Sequence, residues 1–272
     1  MKLSLLFLFA LPVGAQISGP QLGVVTHRSE LRRIDGLRGS SRLSEPLQGL
    51  PGCTRIEAAP GGRWALCNTA DAALLIDLQT RSTLPIPAFE LVVWSPSGTA
   101  VAVDNRVSVL PGSSRIESGG TVVAVSDSGS TVVRDREGTL LFHGEVIAEA
   151  TAMAFDGEVL LVGMQDSVAR IDTGRSLQRF ALGFEPAFVA ADANAMYAAN
   201  GRTLARIDRL SGVIEMFELP VSDASITRLD RLADGSLLLA KPDVGEPGWL
   251  FHGSSGKFSF IPGIAVDVEV AQ

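Results

Sequence analysis

Side chains that could do chemistry are sparse in this sequence. The 272 residues include three histidines, His27, His143 and His252. Two of them share one setting, Leu-Phe-His-Gly, at 141–144 and 250–253. A group that recurs because a repeat recurs reads as structural. No His-Glu-x-x-His, paired-histidine spacing or EF-hand loop is present, so the pattern offers no ligand set for a metal. No Gly-x-Ser-x-Gly elbow offers a nucleophile. The stretch GSSGK at 253–257 has the glycines and lysine of a phosphate loop. Its spacing is wrong and Lys257 is not followed by Ser or Thr, so it reads as a turn. The sequence assigns no catalytic residue and no cofactor.

The useful polar side chains gather in short groups between apolar runs. These are His27-Arg28-Ser29-Glu30, Asp104-Asn105-Arg106, Arg134-Asp135-Arg136-Glu137, Gln165-Asp166, Asn200-Gly201-Arg202 and the segment KPDVGEPGW, which contains Lys241, Asp243 and Trp249. Arginine, aspartate and asparagine are apt for polar recognition, and aspartate, asparagine and glycine are also common turn formers. The candidate binding residues are therefore Asp104, Asn105, Arg106, Arg134, Asp135, Arg136, Asp166, Asn200, Arg202, Lys241 and Asp243. Trp249 would be an anchor if exposed and an inter-blade filler if buried.

The elements that must position these groups are strands. No sustained 3.6-residue apolar period appears after residue 15; short Val-, Ile-, Leu- and Ala-rich runs are broken by Gly, Asp, Asn, Ser and Pro instead. A tight turn recurs as APGG (59–62), SPSG (95–98), SDSG (126–129), FDG (155–157), DAN (192–194) and ADG (233–235). Successive turns are 36, 31, 28, 37 and 41 residues apart, the length of one four-stranded blade. A second marker falls on the third strand: Ile34-Asp35, Ile76-Asp77, Ile171-Asp172 and Ile207-Asp208, with Phe-His in the same slot at 142–143 and 251–252. The apolar residue packs between blades and the Asp or His opens the next turn.

Six complete repeats span about 53–88, 90–118, 120–148, 150–183, 185–220 and 225–262. Residues 20–48 supply three strands without an innermost one, and 264–271 supply a lone strand. Joining the two closes a ring and removes two sheet edges, giving an all-β, seven-bladed β-propeller. Six blades with an N-terminal appendage is the competing count. In either ring the second-to-third-strand loops, which hold most of the candidate binding residues, share one rim with the blade-to-blade connections.

Trp94-Ser95-Pro96-Ser97-Gly98 is similar to the Phe/Trp-Ser-Pro-Asp-Gly turn of the WD-repeat-like and YVTN-type seven-bladed β-propellers of bacterial exported proteins, with Ser97 in place of Asp. The resemblance extends over nearly the whole chain after the leader. It implies a fold and not an activity. The Gly-His and Trp-Asp dipeptides of eukaryotic WD repeats are absent. Two functions follow: a non-catalytic module binding a protein, peptide or glycan through one rim, or a lactonase-like hydrolase or lyase with a polar site in the central channel. An apolar channel lining would count against the second.

Residues 1–15 have the makings of an export leader: Lys2, the apolar run LSLLFLFALPV, and small residues Val13 and Ala15 before Gln16. The expected mature unit is one propeller domain, 16–272, monomeric, in the periplasm or outside the cell, without stable membrane insertion. It carries 22 basic and 30 acidic residues, a net charge of −8, which disfavours nucleic acid as a ligand. Cys53 and Cys67 are the two cysteines. A hairpin turning around Ala59–Gly62 would set them roughly opposite each other, where an exported protein forms a disulfide; two reduced, buried thiols are the alternative.

Overall fold

The computed structural model describes residues 21–27, 29–37, 40–117, 119–172, 177–243 and 246–262. The leader at 1–15, Arg28 and the lone strand expected at 264–271 lie outside them. Seven antiparallel sheets stand in a ring, and no helix occurs among the described residues. Blade one has, among the described residues, the strands β1 (Gln21–His27), β2 (Glu30–Leu37) and β3 (Ser40–Pro46). Blade two is β4 (Arg55–Ala58), β5 (Trp64–Asn68), β6 (Ala73–Asp77) and β7 (Thr83–Ile86). Blade three is β8 (Val92–Trp94), β9 (Ala100–Val103), β10 (Arg106–Val109) and β11 (Ser114–Ile116). Blade four is β12 (Thr121–Val125), β13 (Thr131–Arg134), β14 (Leu140–Phe142) and β15 (Glu145–Ile147). Blade five is β16 (Ala152–Asp156), β17 (Val159–Met164), β18 (Ser167–Ile171) and β19 (Leu177–Ala181). Blade six is β20 (Phe188–Ala191), β21 (Ala195–Asn200), β22 (Thr203–Asp208) and β23 (Ile214–Glu218). Blade seven is β24 (Asp230–Arg231), β25 (Leu237–Ala240), β26 (Gly248–His252) and β27 (Lys257–Ile261).

The second strands of blades two to seven are largely apolar on both faces because both are covered by neighbouring blades. Ala199 and Leu204 pack toward blade seven, and Ala198, Ala205 and Ile207 toward blade five. Blade one closes the ring. Its Leu22, Val25 and Ile34 pack on Leu232, Leu238 and Leu250 of blade seven, and its Val24 and Leu31 on Ile56 and Ile76 of blade two. The seven-blade count is thereby fixed, and the N-terminal strands form a blade rather than an appendage.

The recurrent first turn stitches neighbours together on one face. The Ser97 hydroxyl donates to Asp127 Oδ1 of the next blade at 2.7 Å, and the Ser130 hydroxyl to Glu158 Oε2 of the blade beyond at 2.7 Å. Arg209 of blade six pairs with Asp156 of blade five. Burial would raise the Glu158 pKa, but the hydroxyls of Ser128, Ser130 and Ser126 hold it below the usual carboxylate range. Serine at 97 supplies the donor that this clasp needs.

The third-strand marker works as expected at Asp77 and Asp208, whereas its histidines do not cap turns: His143 is exposed and the His252 ring bonds Ser236 and Ser259. Ile34, Ile76 and Ile207 are fully buried. Asp77 Oδ1 accepts the N–H groups of Gln79 and Thr80, and Asp208 Oδ1 those of Leu210 and Ser211. For the buried Asp77, desolvation acts to raise the pKa; the Thr80 and Gln79 N–H groups and the Arg63 guanidinium, 3.2 Å away, outweigh it and lower the pKa. A folded pKa below the unfolded one adds stability that is complete above the ordinary carboxylate value and lost as pH falls through the folded value. Acid titration of unfolding free energy below about pH 4 should therefore be shallower in Asp77→Asn than in the parent; identical slopes would remove this role.

Cys53 and Cys67 form a disulfide with Cα atoms 5.5 Å apart. Their register differs from the simple hairpin. The turn runs through Pro60–Arg63, with Gly61 and Gly62 both at positive φ and the Ala59 N–H donating to the Trp64 carbonyl, so Cys67 faces Ile56. Cys53 precedes β4 and is brought back by Thr54, whose N–H and hydroxyl both donate to the Asn68 carbonyl.

Candidate functional site

The second-to-third-strand turns and the blade-to-blade connections do share a rim. Asp104, at φ 54°, accepts the N–H groups of Leu91 (2.9 Å) and Glu90 (3.2 Å) from the connection entering its blade. Asn200 Nδ2 donates to the Glu185 carbonyl at 2.7 Å, and Asn105 Nδ2 to the Glu117 carbonyl at 3.4 Å. Arg202 donates to the Leu219 carbonyl at 2.7 Å. Asp135 Oδ1 accepts the N–H groups of Glu137 and Thr139, and the Asp166 carbonyl accepts that of Leu182. Arg134 and Arg136 are exposed on the same turn of blade four. Lys241 is partly buried, and Asp243 lies 4.0 Å from His27 Nδ1. Much of the polar chemistry visible in the sequence thus holds loops in place.

Three of these residues meet at a cavity. A groove of about 750 Å³ separates blades two and three, and Asp104, Asn105 and Arg106 stand at its rim end. Its floor is Leu66, Leu75, Val101 and Val103. One side is the outermost strand of blade two, Ser82–Pro87; the other is Arg106, Ser108, Leu110 and Ser114 of blade three. The cause is local. β11 has three residues, all exposed, as short as β15 of blade four, where β7 on the facing blade has four and β19, β23 and β27 have five each. The outer part of blade three therefore fails to cover Leu84, which is 59% exposed. The Arg106 side chain is half-buried in the groove and makes no hydrogen bond or ion pair with another described residue.

The central channel is different. A space of about 350 Å³ is walled by Val93, Val123, Ala152, Met153 and Phe188, with one polar sector of Arg228, Asp230 and Arg231. Arg228 is paired with Asp230. Burial pushes its pKa down to about 10, partly countered by the Glu57 carboxylate. Among the described residues no three His, Cys, Asp or Glu side chains gather as metal ligands would.

The two Leu-Phe-His-Gly segments have parted ways. His143 is exposed, at φ 51°. His252 is buried, with Nδ1 2.9 Å from the Ser236 hydroxyl and Nε2 2.7 Å from that of Ser259. Ser236 gives its proton to Asp234 at 2.7 Å, so it accepts from His252 Nδ1–H, which leaves Nε2 to accept from Ser259. The network ties three strands of blade seven together. Tyr197 does similar work in blade six: its hydroxyl donates to Asp192 at 2.6 Å, and burial and that carboxylate push its pKa up. Trp249 is buried, as an inter-blade filler.

No protein family and no curated protein matches the sequence. Solved structures match the fold. A chain of the mitotic checkpoint complex is 9% identical, with a TM-score of 0.53 over 87% of this chain and 82% of its own. The β-propeller domain of Myceliophteria thermophila Cps50 (Swd1) is 13% identical, with a TM-score of 0.54 over 78% of this chain and 87% of its own. The dihydro-heme d1 dehydrogenase NirN, in complex with DHE, is 13% identical, with a TM-score of 0.53 over 93% and 76%. The chain is a seven-bladed β-propeller. Its neighbours include both a binding assembly and an enzyme, so the likeness carries the fold alone.

Proposed function

We propose that this protein is a non-catalytic binding module, and that its ligand, a segment of a protein or peptide, enters the groove between blades two and three from the rim bearing Asp104, Asn105 and Arg106. The observation that carries this reading is an apolar groove of about 750 Å³ with a half-buried, unpaired arginine at one end. Concave apolar sites with a few placed polar groups are the usual form of a ligand site. The apolar channel wall of Val93, Val123, Ala152, Met153 and Phe188 supports binding over a lactonase-like hydrolase or lyase, whose footing is the polar sector of Glu57, Arg228, Asp230, Arg231 and Lys241. The remaining rim residues, Arg134, Asp135, Arg136, Asp166, Asn200, Arg202, Lys241 and Asp243, form a wider contact surface in this reading.

The dye 8-anilinonaphthalene-1-sulfonate, apolar with one anionic group, matches the groove. It should fluoresce with the native protein, and Ser108→Phe, which fills the groove, should weaken its binding about tenfold or more. Equal dye binding by parent and variant, both with native melting curves, would remove the groove reading.

The protein works outside the reducing cytosol in this proposal. The disulfide and the leader-like residues 1–15 support it. The intact mass of exported protein should correspond to a chain starting at Gln16 with no free thiol; a retained Met1 or two free thiols would count against export.

A further inference from the structure

We infer that the groove captures its ligand by strand addition: an extended peptide lies along the free edge of β7 and presents a carboxylate to Arg106. This rests on the groove being the binding site. It follows from the pattern of residues on the two sides.

On blade three the groove touches alternate residues, Arg106, Ser108 and Leu110, which is one face of a strand. On blade two it touches six consecutive residues, Ser82 to Pro87. Consecutive side chains of a strand point to opposite faces, so a cavity lined by all six residues reaches the main chain of the intervening ones as well as the side chains of one face. Among the described residues that edge has no partner strand, and β7 pairs with β6 alone.

The phase of the ladder says which main-chain groups are free. The Asp77 N–H donates to the Ser82 carbonyl at 2.9 Å, and Leu84 and Ile86 stand opposite Leu75 and Ala73. Antiparallel pairs alternate between bonded and non-bonded, so Ser82, Leu84 and Ile86 turn their main-chain groups inward, and Thr83 and Pro85 turn theirs toward the open edge. Proline is tolerated at 85 because its missing N–H would have pointed away from β6. The edge thus offers the carbonyls of Thr83 and Pro85 and the N–H of Thr83. It can bind an extended chain in one register, with fewer donors than an ordinary edge. Thr83–Pro87 spans about 17 Å at roughly 3.3 Å per residue, room for about five ligand residues.

Side chains on one side of such a peptide would lie beside Leu84, with Leu75 and Leu66 in line behind it across the sheet and Val103 on the facing blade. Arg106, near Ile86 and Pro87 at the rim end, sets the position of an acidic group. Main-chain bonds supply affinity and the alternate pockets supply specificity in this mode of recognition. The partner is therefore an extended segment with apolar residues at every second position and an Asp, Glu or terminal carboxylate at one end.

The test pans a phage-displayed library of random eight-residue peptides on the folded, full-length protein. Clones that bind the parent and not Ser108→Phe are synthesised and measured by fluorescence anisotropy. Each is remade with N-methyl groups on one set of alternate amides, then on the other. Strand addition predicts that one set costs about tenfold or more while the other is tolerated, and that Arg106→Ala costs about tenfold against peptides with the acidic end and little against their amide counterparts. If both N-methyl sets bind like the parent peptide, or panning yields no groove-dependent clone, strand addition is overturned. The dye result reads the groove independently: dye binding sensitive to Ser108→Phe leaves the binding site standing without the peptide, and insensitive dye binding removes both.

Discussion

Phe251→Ala is expected to lower the unfolding free energy by about 3–5 kcal/mol, the range for deleting a large, fully buried aromatic side chain. Phe251 has no exposed surface and sits between blades six and seven. Its ring lies 4.9 Å from Phe217, 5.2 Å from Phe258 and 6.2 Å from Tyr197, centroid to centroid. Those neighbours are anchored on three strands and by the Tyr197–Asp192 bond, so they cannot collapse into the vacated space without breaking it. The cavity term therefore adds to the lost transfer free energy. Guanidinium unfolding checks the value, and the melting point should fall by about 10 °C for a domain of this size. Phe251→Leu should cost about half as much. Leu210→Ala is the control: Leu210 is fully exposed, and its loss should change stability by less than about 0.5 kcal/mol. A Phe251→Ala protein as stable as that control would mean the six–seven interface does not carry the load assigned to it.

Removing the disulfide should be the other large effect. The bridge closes a loop with a sequence separation of 14. Constraining such a loop in the unfolded chain is worth about 3 kcal/mol, and measured values for native bridges run from about 2 to 5. The sulfur of Cys67 belongs to a fully buried side chain, whereas Cys53 is partly exposed, so alanine at both positions is the clean variant. Unfolding of Cys53→Ala/Cys67→Ala, compared with the parent with and without dithiothreitol, should show the loss in the oxidised parent comparison only. The reduced parent and the double variant should be close to each other. Because blade two borders the groove, the loss should also raise amide exchange at Trp64–Asn68, the strand that carries Cys67 and the groove-lining Leu66. Exchange unchanged there would separate the bridge from the site.

The blade pattern was legible because turn chemistry repeats. APGG, SPSG, SDSG, FDG, DAN and ADG need glycine, asparagine or aspartate in fixed places, and those residues mark the phase at every blade. Ile76-Asp77 and Ile207-Asp208 were legible for the same reason: a buried branched residue followed by a turn-capping carboxylate. The equivalence of His143 and His252 was legible and misleading. Both follow Leu-Phe, yet only His252 has Ser236 and Ser259 beside it, from neighbouring strands of its own blade. The candidate site was legible only in part. Asp104-Asn105-Arg106 could be picked out as a polar turn, but Asp104 is spent on Glu90 and Leu91, and Asn105 on Glu117. The weak signal for the groove was PGSSRIES at 111–118, a fourth-strand segment with a single large apolar residue, Ile116.

The sequence by itself determined the strand periodicity, the turn positions, the blade phase, the pairing of Cys53 with Cys67 as an available option, and the polar residues placed on one rim. These depend on neighbours within one hairpin, where spacing is geometry. The tertiary structure alone decided which rim residue is free to act. Arg106 faces an open groove because a strand from one blade is too short to cover a strand from another, and Leu66, Leu84 and Val103 meet there only when blades two and three stand side by side. Which residues of two blades meet is not set by the local spacing of either segment, because each strand satisfies its own hairpin whatever its neighbour does.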